Sequence, residues 1–305
     1  ISVPIGLQFG ENPGSIQVQG SGNHYSQDPQ INANGNLIGT TFNRSTRPVG
    51  LQVQPDKTLA LVGGEVALKG GNLTAPEGQI ELGSVAGNGF VSLNPVDKGW
   101  SLGYIGVKTF GNIQLSQAAS VDASGAGGGD IQVRGRHVAL TDGSAIVAST
   151  LEAKPGGTLT LVADDAVELT GTDPNHQIFS GLITESLGSG RAGDITISTG
   201  KLIARNGAQV ASSSFKEGAA GKLTVTASES IELVGSADVT FNKLGSVTFP
   251  SALVSSTTGI GTAGDVTIAT GKLSALNGGR IRSVTYGNGA AGNLSVRASD
   301  SVELI

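Results

Sequence analysis

Glu168, Glu232 and Glu303 occupy the same local sequence, Val167-Glu168-Leu169, Ile231-Glu232-Leu233 and Val302-Glu303-Leu304, with a similar Ile80-Glu81-Leu82 upstream. Paired carboxylates are the tools of glycoside hydrolysis. If these glutamates recur on every second coil of a stacked repeat, their backbones stand roughly 9–10 Å apart, near the wide end of an inverting pair. A hydrolase, however, needs one unusual pair whose pKa values are driven apart in a cleft. These glutamates are repetitive and outward-facing, so no catalytic residue is expected among them.

Other reactive side chains give less. His24, His137 and His176 are far apart and lack ligand partners at metal-binding spacing. Asp164-Asp165 reads as a pair of solvated turn carboxylates, with a weak calcium site as the sharper alternative. Gly125-Ala126-Gly127-Gly128-Gly129 lacks the Lys-Ser/Thr and the helix of a phosphate loop and reads as a tight corner. No nucleophile-elbow sequence is present. Trp100, Tyr104 and Phe110 form the one aromatic concentration, read as sealing a junction rather than holding a glycan. No catalytic, cofactor-binding or metal site is therefore expected, and no cofactor.

The 305 residues include 48 Gly, no Cys and no Met, with 38% hydrophobic and 4% aromatic residues, so the core must be thin and regular. A net charge of -5 with scattered Lys and Arg offers no field for nucleic acid. No apolar run approaches the roughly 18–20 residues that span a bilayer. The missing Met and leader suggest a piece of a longer precursor.

The element pattern is carried by repeats. Gly193-Asp194-Ile195-Thr196-Ile197 recurs as Gly264-Asp265-Val266-Thr267-Ile268 and, loosely, as Gly129-Asp130-Ile131-Gln132-Val133. A second signature follows each one: Gly157-Thr158-Leu159-Thr160-Leu161, Gly221-Lys222-Leu223-Thr224-Val225 and Gly292-Asn293-Leu294-Ser295-Val296. From Ile131 to Thr158, Ile195 to Lys222 and Val266 to Asn293 the separation is 27 residues; the intervening steps are 37 and 44. A constant interval beside a variable one fits stacked coils with a tolerant loop. Within Asp194 to Ser214 the alternation predicts strands at 194–198, 201–205 and 209–213, with turns at Thr199-Gly200 and Asn206-Gly207. The fold class is all-β, a right-handed parallel β-helix of about 20–30-residue coils. A β-sandwich, the structural rival, does not predict the recurrence.

Stacking turns aligned residues into columns. Ile131, Leu159, Ile195, Leu223, Val266 and Leu294 point inward. Gln132, Thr160, Thr196, Thr224, Thr267 and Ser295 face solvent. Asp130, Thr158, Asp194, Lys222, Asp265 and Asn293 follow the turn glycines, with no like charges on adjacent coils, as strand caps or weak Lys-Asp pairs. Residues 1–57 read as an N-terminal cap or extra-coil segment. Residues 58–305 read as the repeats, the first coil taken as Leu59-Val62, Val66-Leu68 and Gln79-Leu82. A loop insertion stands near 236–250.

Leu59 to Val85, reading LALVGGEVALKGGNLTAPEGQIELGSV, with Gly99-Trp100-Ser101-Leu102 and Ile113 to Gly125, resembles cyanobacterial filamentous haemagglutinin-type exoproteins of two-partner secretion, the haemagglutination activity domain family. The resemblance implies a β-helix exported through a partner outer-membrane transporter and then secreted or displayed at the cell surface. Asn32-Ala33-Asn34-Gly35 loosely echoes that family's Asn-Pro-Asn-Gly-type motif, so the chain is expected to begin inside its secretion domain. The expected function is a structural and adhesive module mediating attachment or aggregation, with surface glycans or other cells as candidate partners. The alternatives are a β-helical carbohydrate-active enzyme and a passive stalk for a distal toxin.

Overall fold

Alternating aliphatic and polar residues send every second side chain to the same strand face, and in the computed structural model they build stacked parallel ladders. The structure describes residues 4–45, 49–242 and 244–305. An eleven-stranded sheet forms two walls, because long strands such as Asp194–Arg205 bend at an irregularity, here between Thr199 and Lys201. An eight-stranded sheet, from Leu51–Gln52 to Arg280–Thr285, forms the third wall. The chain is thus a parallel β-helix. The turn expected at Thr199-Gly200 is a bend within one strand, whereas Asn206 and Gly207 form a turn with φ of 53° and 83°.

Rung-to-rung pairing fixes the coil length. Leu59, Ile80, Ile131, Leu159, Ile195, Leu223, Val266 and Leu294 are successive partners in the first wall. Like residues of the regular coils are therefore 28 apart, as from Ile195 to Leu223, one more than the 27-residue count, which ran from an apolar residue to the neighbour of its true partner. Gln79–Ser84 also leaves the coil assigned to it. It opens the next coil, and Asn72–Thr74 supplies the third strand of the coil that begins at Thr58. Glu81 accordingly aligns with Gln132, not with Glu168; the residue in the Glu168 column is Gln114, through Ala139.

Among the described residues three hairpins interrupt the coils. Ser26–Ile31 with Leu37–Asn43 is the N-terminal hairpin; Gly89–Val96 with Gly99–Val107 is the middle one, extended by Gly6–Phe9; Ser236–Phe241 with Gly245–Pro250 is the C-terminal one. Within residues 1–57, Ile16–Gln19 and Leu51–Gln52 pair in the coil ladders.

The interior is a stack of small aliphatics, with Leu159, Leu161, Ile195, Ile197, Leu223 and Val225 all fully buried in one cluster. Coils approach this closely because one corner carries only glycine. A Cβ on Gly193 would lie 2.6 Å from Gly157 O, and one on Gly221 or Gly264 would collide with the carbonyl of Gly193 or Gly221. Serines of the third wall satisfy the corner amides: Ser212 Oγ accepts from Gly221 N (2.7 Å), Ser255 Oγ from Gly264 N (2.8 Å) and Ser283 Oγ from Gly292 N (2.8 Å). Beside the corner, Asp130, Asp194 and Asp265 each accept from the backbone amide of the next coil, Thr158, Lys222 and Asn293, at 2.7–2.8 Å. The alternation in that column is a carboxylate-to-amide clamp between coils. It holds Asp265 below the ordinary carboxylate range, chiefly through the Asn293 amide.

Gly221→Ala is expected to destabilise the fold by about 1–3 kcal/mol through backbone overpacking, whereas Gly10→Ala, with open space around it, is expected to be neutral. Urea unfolding of the two variants checks this.

Candidate functional site

The outer face of the third wall is roofed by two hairpins, whereas the middle hairpin covers the first wall around Glu81. The outward residues of the third wall form two adjacent columns. Asp122, Val147, Ile183, Ala211, Val254 and Arg282 form one; Ser149, Glu185, Ser213, Ser256 and Val284 the other. Over them lie the N- and C-terminal hairpins. Tyr25, Phe42, Phe179, Phe249 and Phe241 meet in sequence, with ring centroids 5.8–6.2 Å apart, and tie both hairpins and the 171–180 loop to that face. Aromatic pairs of this geometry add about 0.5–1.5 kcal/mol each beyond the area they bury.

Beneath the N-terminal hairpin is a polar network. Arg44, with only 11% of its side chain exposed, lies 3.3 Å from Glu185 Oε2 and 3.6 Å from Asp122 Oδ2, and donates to Ser149 Oγ. Ser149 Oγ donates to Glu185 Oε2 (2.9 Å), Phe42 N to Glu185 Oε1 (3.2 Å) and Tyr25 OH to Asp122 Oδ2 (2.8 Å). Burial pushes the Glu185 carboxyl up, opposed by Arg44. For Arg44 burial works against the charge, but Glu185 and Asp122 outweigh it and hold the guanidinium above its ordinary value. Burial and Asp122 together push the Tyr25 hydroxyl up. The arrangement is a clasp. Both carboxylates face an arginine and are closed over by the hairpin, so the network joins the hairpin to the coils and offers no acid or nucleophile to a substrate.

Between the hairpins and the exposed end of the third wall runs a groove of about 280 Å³, lined by Phe42, Ile183, Phe249, Val254, Arg282 and Tyr286 among others. Arg282 Nη1 donates to Tyr286 OH at 3.2 Å. Of these residues the sequence reading reached only Phe249, as part of the insertion near 236–250. The available signal was that the aromatics Tyr25, Phe42, Phe241 and Phe249 fall outside the repeat, that Asp122 breaks a mainly aliphatic column and that Glu185 breaks one made mainly of serine.

The residues that were singled out disperse. Glu168 lies 3.6 Å from the His137 imidazole and Glu232 forms an ion pair with Arg205 at 2.9 Å, each contact joining neighbouring coils, and Glu303 is exposed on the last coil. Asp164 and Asp165 face Arg134 (2.6 Å) and Arg136 (3.5 Å). His24 lies 3.0 Å from Ser21 Oγ and His176 3.0 Å from Thr172 Oγ1. Among the described residues no group of three or more His, Asp or Glu could hold a metal ion. The glycine run is packed against Glu77, Lys154 and Pro155, with Ala126 N donating to Glu77 Oε1 at 3.1 Å. Tyr104 and Phe110 meet at 5.9 Å, with the Arg134 guanidinium 3.5 Å above the Phe110 ring, while Trp100 stays half-buried with its amide on Thr58 Oγ1. The tip of the N-terminal hairpin is Asn32-Ala33-Asn34-Gly35, where Asn32 Oδ1 accepts from the amides of Asn34 and Asn36 at 3.0 Å.

Glu81 is a further buried acid. Fully covered by the middle hairpin, it accepts from Gln79 Nε2 (2.6 Å) and Leu102 N (3.3 Å) and faces no cation among the described residues, and burial pushes it from 4.5 to about 8. The unfolded chain ionises at lower pH than the folded one. Stability from this group is therefore complete below about pH 4.5 and is lost as pH rises through about 8. Between pH 5 and 8.5, Glu81→Gln is expected to flatten the fall in unfolding free energy by roughly 2–5 kcal/mol, read by urea titration at both pH values. Arg44→Met removes the guanidinium that faces the buried Asp122 and Glu185 carboxylates. It is expected to cost about 3 kcal/mol at pH 7 and to speed amide exchange across Ser26–Ile31 and Leu37–Asn43; exchange equal to that of the parent chain would remove the clasp.

Among the described residues no helix is long and apolar enough to cross a membrane. No curated protein and no solved structure matches the chain. Residues 1–133 match the family model of the TPS secretion domain, a secretion-associated domain and not an enzyme family. The match spans the N-terminal and middle hairpins and the first coils, and it indicates a module of a two-partner secretion exoprotein, exported by a partner transporter.

Proposed function

We propose that the chain is an adhesive module, displayed at the cell surface or released, that mediates attachment or aggregation through its side surface. The observation that carries this reading is the roofed third wall. Two hairpins that contribute nothing to the coil ladders are fixed over one face by aromatic contacts and a buried arginine. A rod needs no such structure, whereas a contact surface needs non-repeating features held rigidly. The uniform polar columns on the other walls add a long surface for weak, repeated contacts. Glycans or proteins of other cells are the partners proposed.

The test is whole-cell binding by the chain with residues 236–250 replaced by a short Gly-Ser turn, circular dichroism confirming that the coils remain. Attachment is expected to fall at least severalfold. Attachment equal to that of the parent chain would exclude this hairpin and favour the passive stalk.

A further inference from the structure

Two arginines stand on the outer face of Arg280–Thr285, the third-wall strand paired with Ala252–Thr257. Alternation puts Arg280 on the same face as Arg282, and both line the groove of about 280 Å³ between the hairpins and that wall. Neither forms an ion pair among the described residues, and the remaining residues of the chain include no Asp or Glu. Glu185, which also lines the groove, already faces Arg44 at 3.3 Å. Arg282 is half-buried and held in place. Its Nη1 donates to Tyr286 OH at 3.2 Å and its Nε is enclosed, while Nη2 has no partner among the described residues and is not enclosed. Folding alone gains nothing from a half-buried guanidinium that faces no carboxylate, because its lost solvation goes uncompensated.

We propose that this groove binds one carboxylate-bearing sugar unit of an acidic glycan, with the Arg282 guanidinium on the carboxylate; the proposal rests on the adhesive reading and names its ligand class. An end-on pair of N–H groups from Nη1 and Nη2 matches the two oxygens of a carboxylate, and Nη1 keeps its second N–H for Tyr286. Arg280, exposed beside it, adds attraction of the same sign on a chain whose net charge is -5. The Ser213 and Ser256 hydroxyls, 3.0 Å apart, line the groove and can both donate to and accept from ring hydroxyls. Phe42, Phe249 and Val254 supply apolar surface for the C–H groups of the ring. The volume lies near the lower bound of small-molecule sites, about 300–1,000 Å³, and suits a single unit with the rest of the glycan outside. The walls are fixed: Phe42 and Phe249 both meet Phe179, with ring centroids 6.0 and 5.8 Å away, and Gln209 Nε2 donates to Pro250 O at 3.2 Å. A neutral sugar forgoes the guanidinium, and a small anion forgoes the hydroxyl and apolar contacts.

Saturation-transfer NMR on the folded chain compares glucuronate, galacturonate and N-acetylneuraminate with glucose, galactose and acetate. At least one acidic sugar is expected to bind saturably in the millimolar range or tighter, and at least tenfold more tightly than the neutral sugars and acetate. The preference among the three separates a uronate from a sialate as the unit held. Arg282→Gln is expected to weaken binding at least tenfold. Arg280→Gln, at an exposed position, is expected to weaken it severalfold without a change in melting temperature, and serves if Arg282→Gln disturbs the groove. Absence of saturable binding by all three acidic sugars, equal binding of acetate or of a neutral sugar, or parent-like affinity in both variants would overturn the proposal. Acidic-sugar binding without cell attachment would sink the adhesive reading and keep this site; attachment without acidic-sugar binding would do the reverse.

Discussion

The parallel register between coils is the constraint on which everything else rests. Each strand's backbone groups are satisfied by the coil before and the coil after, so one shift in register would turn a column such as Leu159, Ile195 and Leu223 from the interior to solvent. Two devices hold that register at the same corner. Glycine lets neighbouring carbonyls approach within a distance no side chain permits, and the Ser212, Ser255 and Ser283 hydroxyls satisfy the corner amides. The Asp130, Asp194 and Asp265 clamps add a directional bond outside the corner. A carboxylate accepts an amide only where the next coil presents one, so these bonds report register as well as strengthen it.

A scaffold so regular leaves function to what departs from it. The coils present nearly the same side chains at each level, and repeated groups carry repeated environments: Glu168 and Glu232 each find a basic neighbour one coil away. Distinct environments arise only where an insertion folds back. The middle hairpin buries Glu81, which no cation among the described residues faces. The N-terminal hairpin brings Arg44 over Asp122 and Glu185, and the C-terminal hairpin closes the aromatic row begun at Tyr25. The ladders themselves fix those insertions, because each begins and ends on a paired strand.

Both hairpins over the third wall arise between the second and third strands of their coils, although more than 190 residues separate Leu37–Asn43 from Ser236–Phe241. Stacking places the same corner of every coil on one edge of the molecule. Insertions at that corner therefore meet however far apart they are in the chain. This is how a quasi-one-dimensional fold gathers distant segments on one face, and it accounts for a contact row in which Phe42, Phe179 and Phe249 touch in turn.

The sequence by itself determined the β-helix, the inward columns and the Asn206-Gly207 turn, because a period of two and a recurring Gly-Asp or Gly-Thr step are local properties repeated many times. It misplaced Glu81 and the first coil, since Ile80-Glu81-Leu82 resembles a second-wall strand in letters while its neighbours, displaced by an inserted hairpin, assign it to the first wall. The roofed face was beyond its reach. Tyr25, Arg44, Asp122, Glu185 and Phe249 share no motif and no spacing, and their juxtaposition exists only once the coils are stacked. Local pattern decides how a coil winds; which insertions meet, and which polar groups they bury, depends on distances through space that only the tertiary structure sets.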